Sequence, residues 1–152
     1  MLRWITILMF LATSAFPGEL ETRAEIRNKV RDMLLGEEFA ELDALAVQYR
    51  DNQSRTPSGL WKLTFFYEGL STALNARGQN DRQWVTLDAI TSAYLEQRPQ
   101  SATAIIMRAN YLLDLAWNIR GNKYSREVTR SAWQRFYEKV VLPISFYKRV
   151  KI

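Results

Sequence analysis

RPQSATAIIMRANYLLDLAWNIRG, residues 98–121, carries the decisive pattern. Ile105, Ala109, Leu112 and Ala116 fall on one row at three-four spacing, with Ile106, Leu113 and Trp117 beside them, which is the periodicity of an α-helix. Pro99 disfavours a helical residue before it, and the Ser101 hydroxyl can accept from the free amides of a first turn. Gly121 supplies the stop. This stretch therefore predicts a helix bounded on both sides.

The same spacing extends outward in both directions. Ile26, Val30, Met33 and Leu34 predict a helix over 20–35, with Gly36 as its left-handed terminator. Phe39, Leu42, Leu45, Ala46 and Tyr49 predict a second helix, folded back on the first because the connection is so short. Residues 51–59, with Pro57 and Gly59, read as the longest loop. Leu60, Leu63, Tyr67, Leu70 and Leu74 predict a third helix, and Trp61, Phe65 and Phe66 widen its apolar surface, so it is expected between neighbours. A turn containing Gly78 leads to a fourth, carrying Trp84, Leu87, Ile90, Ala93 and Tyr94. On the C-terminal side, Ser125 is the expected cap of a sixth helix carrying Val128, Ala132, Trp133, Phe136 and Val140, which Pro143 should end or kink.

No segment shows sustained two-residue alternation, so the fold class is all-α: about six helices as three antiparallel hairpins, recurring near residues 20, 59 and 101. Hairpins that cannot cover their own apolar faces must stack, which gives a TPR-like solenoid; a globular helical bundle is the alternative.

Leu35-Gly36-x-x-Phe39-x-x-Leu42-x-x-Leu45, then Gly59-Leu60-Trp61-Lys62-Leu63, Gln97-Arg98-Pro99-Gln100-Ser101, Ala116-Trp117-x-x-Arg120-Gly121, Tyr124 and Trp133-x-x-Phe136 occur in this order. Together they resemble a bacterial family of tetratricopeptide-like domains of unknown function, found in exported or membrane-attached proteins, over residues 24–140. The resemblance implies a helical-repeat fold without an established activity. Family members run on through further repeats, so a short or truncated member is expected.

Of the 152 residues, 47% are hydrophobic and 24% charged, ordinary for a globular protein. Met1-Leu2-Arg3, an uncharged apolar run to Ala12, and Thr13-Ser14-Ala15 have the layout of a signal peptide, too short to span a bilayer. Cleavage after Ala15 would leave residues 16–152 as one domain, periplasmic or extracellular, without a stable membrane span. With no cysteine in the chain, that domain would have no disulfide.

The absence of histidine and cysteine removes the commonest general base, the thiolate nucleophile and most zinc or haem arrangements. Ser145 and Lys148 have the spacing of a lysine-assisted serine nucleophile but lack companion motifs. Glu37, Glu38 and Glu41 cluster at the start of the second helix, where the helix dipole favours acids. Neither set is assigned chemistry; no catalytic residue, metal ligand or cofactor is expected.

Trp117, Arg120, Tyr124 and Trp133 form the candidate contact set, because a tryptophan beside an arginine offers a flat apolar face next to a fork of donors. The competing expectation is that Trp117 packs on the helix carrying Trp133 and Phe136, with Arg120 capping the carbonyls that end its own helix. Trp61, Phe65, Phe66 and Tyr67 are expected in the core. The basic residues read as scattered, which together with the export segment disfavours nucleic acid. The expected function is an exported module for protein or peptide interaction in the cell envelope. The alternative is a small carboxylate- and Arg-based enzyme or ligand-binding protein.

Overall fold

The computed structural model describes residues 18–74 and 80–147, with side chains described as far as Val141 apart from that of Asp81. The export segment 1–15, the Gly78 turn, the Ser145–Lys148 pair and the basic tail lie wholly or partly outside the described residues. Within them the protein is all-α. Six helices follow one another: α1 (Glu19–Leu35), α2 (Phe39–Asp51), α3 (Lys62–Leu74), α4 (Asp81–Gln97), α5 (Ala102–Arg120) and α6 (Arg130–Tyr147), with a 3-10 turn at Ser125–Glu127 before α6.

Two expected boundaries are set by other residues. Gly36 has an ordinary φ of −84°, and the left-handed residue is Glu37 at φ 58°. Glu38 N–H donates to the Met33 carbonyl and Glu37 N–H to that of Leu34, the paired bonds of a Schellman ending with Glu37 in the position glycine usually takes. Gln53, at φ 46°, ends α2 in the same way through Ser54 and Tyr49. Of the two expected stop glycines among the described residues, Gly121 alone has a positive φ, 76°. Ser125 does not cap α6 either. Thr129 does, its hydroxyl accepting from Ala132 N–H, because the chain first spends Ser125–Glu127 in the 3-10 turn. Helix α6 runs through Pro143 to Tyr147 rather than ending there.

Helix α1 packs along α3, α2 lies against α1, α3 and α5, α4 against α5, and α5 against both α3 and α6. The α1–α3 seam is tight because Gly69 has no side chain. A Cβ at that position would sit 2.8 Å from the Arg27 carbonyl oxygen and 2.9 Å from Arg27 Cα. Val30, Leu34, Phe66 and Leu70 close over this crossing, fully or almost fully buried. The main core then continues through Leu42, Leu87, Tyr94, Met107 and Leu112. Helix α6 is attached outside it, through Ala132 and Phe136 against α5.

Polar clamps lock the long connections. Glu19, buried at 8% exposure, accepts from Arg23 Nε, from the Thr56 hydroxyl and from Ser58 N–H, tying the start of α1 to the loop before α3. Burial opposes its charge, but the Ser58 amide, the Arg23 guanidinium and the hydroxyls of Ser58 and Thr56 outweigh that opposition. They hold its pKa down at about 2. Asp43 does the same for α2. It accepts from Tyr94 Oη at 2.8 Å, from Arg98 Nε at 2.9 Å and from the Ser101 hydroxyl, which in turn caps α5 by accepting from Ala104 N–H. The Arg-Pro-Gln-Ser segment is thus fixed by one carboxylate from another helix. Burial and the adjoining Asp43 raise the Tyr94 phenol pKa, so Tyr94 stays a neutral donor.

Candidate functional site

Helix α5 delivers Trp117 and Arg120 one turn apart, and the turn into α6 brings Trp133 back beside them. The Arg120 guanidinium carbon lies 5.1 Å from the ring centroid of Trp117 and 5.1 Å from that of Trp133, so the cation is held between two indole faces. Arg120 Nη1 donates to the Gly121 carbonyl at 3.1 Å, fulfilling the expected role at the helix end. Its Nε is buried and has no hydrogen-bond acceptor among the described residues. Phe136 underlies the pair, edge-on to Trp117 at 5.0 Å and to Trp133 at 5.6 Å.

Trp117 does face the helix carrying Trp133 and Phe136, as the spacing implies. It is not buried there. It is 45% exposed, with the Arg120 guanidinium over the ring and Phe136 edge-on to it. Tyr124 is brought to the same end but stands away from the rings at 76% exposure. Trp133 is half-buried, its Nε1 donating to the Ser125 carbonyl at 3.4 Å. Three of the four candidate residues therefore form one cluster, and the fourth lies at its rim.

Sequence reasoning passed over Tyr137 and Val141, exposed at 58% and 62%. With Trp133 they make an i, i+4, i+8 row on α6, and Tyr137 stacks on Trp133 at 5.7 Å. The signal was present in that spacing. It went unread because Ala132, Phe136 and Val140, the row next to it, already accounted for a core face.

The basic residues run along the whole chain but are densest towards its C-terminus. From Trp117 onward the sequence has nine lysines and arginines against two glutamates, a net +7; from Gly18 to Ala116 it has eleven basic against fourteen acidic residues, a net −3. Within the described part of that stretch, residues 117–147, six basic residues stand against two glutamates, so the aromatic cluster lies on a net-positive segment.

The remaining candidates take ordinary roles. Phe65 and Phe66 are buried and Tyr67 is half-buried, but Trp61 lies before α3, partly exposed under the Arg55 guanidinium at 4.6 Å. Glu37, Glu38 and Glu41 are exposed, and among the described residues no three acidic side chains are grouped to hold a metal ion. Two shallow concavities lie elsewhere. One, of about 690 Å³, is lined by Arg27, Thr64, Tyr67 and Glu68. The other, of about 520 Å³, runs from Asp43 and Arg50 to the α4–α5 turn.

These features define an all-α protein with an open aromatic and cationic surface at the α5–α6 end. Family models, curated proteins and solved structures yielded no match to this chain.

Proposed function

We propose that the chain is an exported, tetratricopeptide-like module that works by docking a protein or peptide of the cell envelope, with Trp117, Arg120, Tyr124 and Trp133 as its contact set. The observation that carries this reading is the half-open Trp117–Arg120–Trp133 sandwich. Tryptophan and arginine dominate the energetics of protein interfaces, because a rigid ring and a pre-positioned cation lose little freedom on binding. Here both are held by the fold in advance. The succession of α1 on α3 and α3 on α5 is in keeping with a repeat stack, although α4 packs on α5 and has, among the described residues, no comparable contact with α3, its partner in the expected second hairpin.

A photo-crosslinking residue placed at Tyr124, and as a control at exposed Glu21, tests the reading in cells. A discrete adduct from position 124 that is missing from position 21, and that disappears in Trp117→Ala, supports it. Trp117 is half exposed, so that variant forfeits the ring contacts with Arg120 and Phe136 rather than a filled core. Its cost should be ~1–2 kcal/mol, well under the ~3–5 kcal/mol of a buried tryptophan. Adducts from both positions, or from neither, would overturn the docking assignment. N-terminal sequencing tests export separately: a mature chain starting near Phe16 is expected, and an intact Met1 in the cytosol would refute it.

A second reading, a small ligand held at the same place, is favoured by one observation: the exposed Trp117 ring lies beside a half-buried Arg120 whose Nε has no acceptor among the described residues. Titration with carboxylate-bearing peptides and sugars, followed by tryptophan fluorescence, discriminates it from a macromolecular contact.

A further inference from the structure

Helix α6 has a wider apolar arc than α5 covers. Ala132 and Phe136 are buried against α5, and Val140 is partly covered. The adjoining row, Trp133, Tyr137 and Val141, continues the arc to roughly half the helix circumference. A helix that borders water is polar on its outer side. This one is polar there, at the exposed Ser131, Gln134, Arg135 and Glu138, but beside that side half-buried Trp133 and exposed Tyr137 and Val141 leave an apolar strip uncovered.

The charge around that row is net positive: six basic residues stand against Glu127, 4.0 Å from Arg126, and Glu138 over residues 117–147. Arg130 lies on the same side, near 60° on a helical wheel with Trp133 at 0° and Tyr137 at 40°. The bond from Trp133 to the Ser125 carbonyl sets the connecting turn at the row's N-terminal end, with Tyr124 and Arg126 on either side of Ser125. Arg126 and Arg130 are both exposed. The row lies outside both described concavities.

We infer that the Trp133–Tyr137–Val141 row, flanked by Arg126 and Arg130, docks the protein on an anionic lipid surface. Tyrosine and tryptophan settle at the level of lipid headgroups, where ring and polar tip are both accommodated, and arginines reach the phosphates while their stems stay apolar. Acidic headgroups complement the net +4 of the described residues 117–147, six basic against two acidic, while residues 18–116 carry a net −3 that favours turning the body away from the surface. Among the described residues no helix is long and apolar enough to cross a membrane, so α6 lies on the surface and does not span it. The inference goes beyond the docking function proposed above, with which it shares Trp133: that function uses the Trp117–Arg120 end for a protein, and this one holds the module to a membrane by the Tyr137–Val141 strip of α6.

Co-sedimentation of the purified chain with phosphatidylcholine vesicles containing about 30% phosphatidylglycerol, at ~0.1 M salt, tests the inference. Binding should be at least tenfold stronger than to pure phosphatidylcholine and should fall on raising the salt to ~0.5 M, where the charges are screened. Arg126→Glu with Arg130→Glu should weaken binding roughly tenfold or more, because each basic group at such a surface contributes about fivefold. An acidic residue at the first position of α6 also suits the helix dipole, so that variant stays folded. Tyr137→Ser with Val141→Ser, at exposed positions, should weaken binding at every salt concentration. Equal binding to neutral vesicles, or no loss in either double variant, overturns the inference. So does sedimentation velocity showing that Tyr137 and Val141 instead govern self-association. Trp117→Ala separates the two proposals: loss of the Tyr124 adduct with vesicle binding retained is expected, and loss of both would place a single partner on the whole surface and overturn the lipid assignment.

Discussion

Gly69→Ala should destabilise the protein although alanine is the better helix former. In an exposed helix interior the exchange would gain ~1 kcal/mol. At this position the new methyl group would lie 2.8 Å from the Arg27 carbonyl oxygen, 2.9 Å from Arg27 Cα and 3.1 Å from Val30 Cβ. Two of these neighbours are backbone atoms of α1 and cannot rotate aside, so α1 and α3 must separate by about 0.5–1 Å, a gap that already forfeits a quarter to a half of the dispersion well of each atom pair on the seam. Overpacking of a well-filled core costs ~1–3 kcal/mol, and a clash with backbone belongs at the upper end. After the propensity gain, a net loss of ~2 kcal/mol remains. With a urea slope of ~2 kcal/mol per molar, the midpoint should fall by about 1 M. Urea titration followed by circular dichroism at 222 nm measures it. An unchanged or higher midpoint would refute the claim that the α1–α3 crossing depends on a missing side chain.

The Glu19 clamp should appear in the acid limb of the stability profile. The carboxyl titrates at about 2 in the fold against an ordinary 4.5, so its contribution is present above about pH 4.5 and is lost as the pH falls towards 2. Glu19→Gln should therefore lower the urea midpoint at pH 6, and the gap from the parent should shrink steadily below pH 4.5; a gap independent of pH would sink the assignment. Asp43→Ala leaves the Tyr94 hydroxyl and the Ser101 cap without their shared acceptor, and should cost ~2–3 kcal/mol by the same titration; a loss under ~0.5 kcal/mol would mean that the clamp is incidental to stability. Gln53→Gly removes a left-handed penalty of ~1–2 kcal/mol while adding ~0.5–1 kcal/mol of unfolded-chain freedom, so a net gain of ~0.5–1 kcal/mol is expected. Thermal unfolding checks it, and a lowered midpoint would contradict the Schellman geometry.

What the sequence made legible was local. Three-four spacing located all six helices, because amphipathic periodicity is a property of neighbouring residues, and the stops at Leu35, Gln97 and Arg120 came with their punctuation of glycine or proline. The finer error at Gly36 is also local: the glycine is one residue early, and Glu37 tolerates the left-handed position because the paired Schellman bonds fix it there. The clamps were illegible for a different reason. Glu19 meets Thr56 and Ser58 across 37 and 39 residues, and Asp43 meets Tyr94 and Ser101 across 51 and 58. Neither carboxylate has a spacing that announces such a partner. Gly69 was equally silent, since a lone helical glycine reads as weakness until the neighbouring helix is known.

The candidate site divides along the same line. Periodicity puts Trp117 on the side of α5 that faces Phe136, and the rings meet at 5.0 Å. It cannot say whether anything covers the far side of the ring, because cover depends on the size of residues on another helix. Ala116 and Ala132 are buried and too small to reach over the ring, while Arg120 enters from the end and takes a face of each indole. The outcome is a residue that both packs and stands open. Burial and ligand contact had been opposed as alternatives for Trp117, yet the inner edge of one ring is spent on Phe136 while its outer surface stays available. The same division explains α6, where one apolar row is satisfied by α5 and the next, Trp133 to Val141, projects beyond it. Width of the apolar arc, rather than the presence of an apolar stripe, is the sequence feature that separates a helix finished by its neighbours from one that still has a surface to offer.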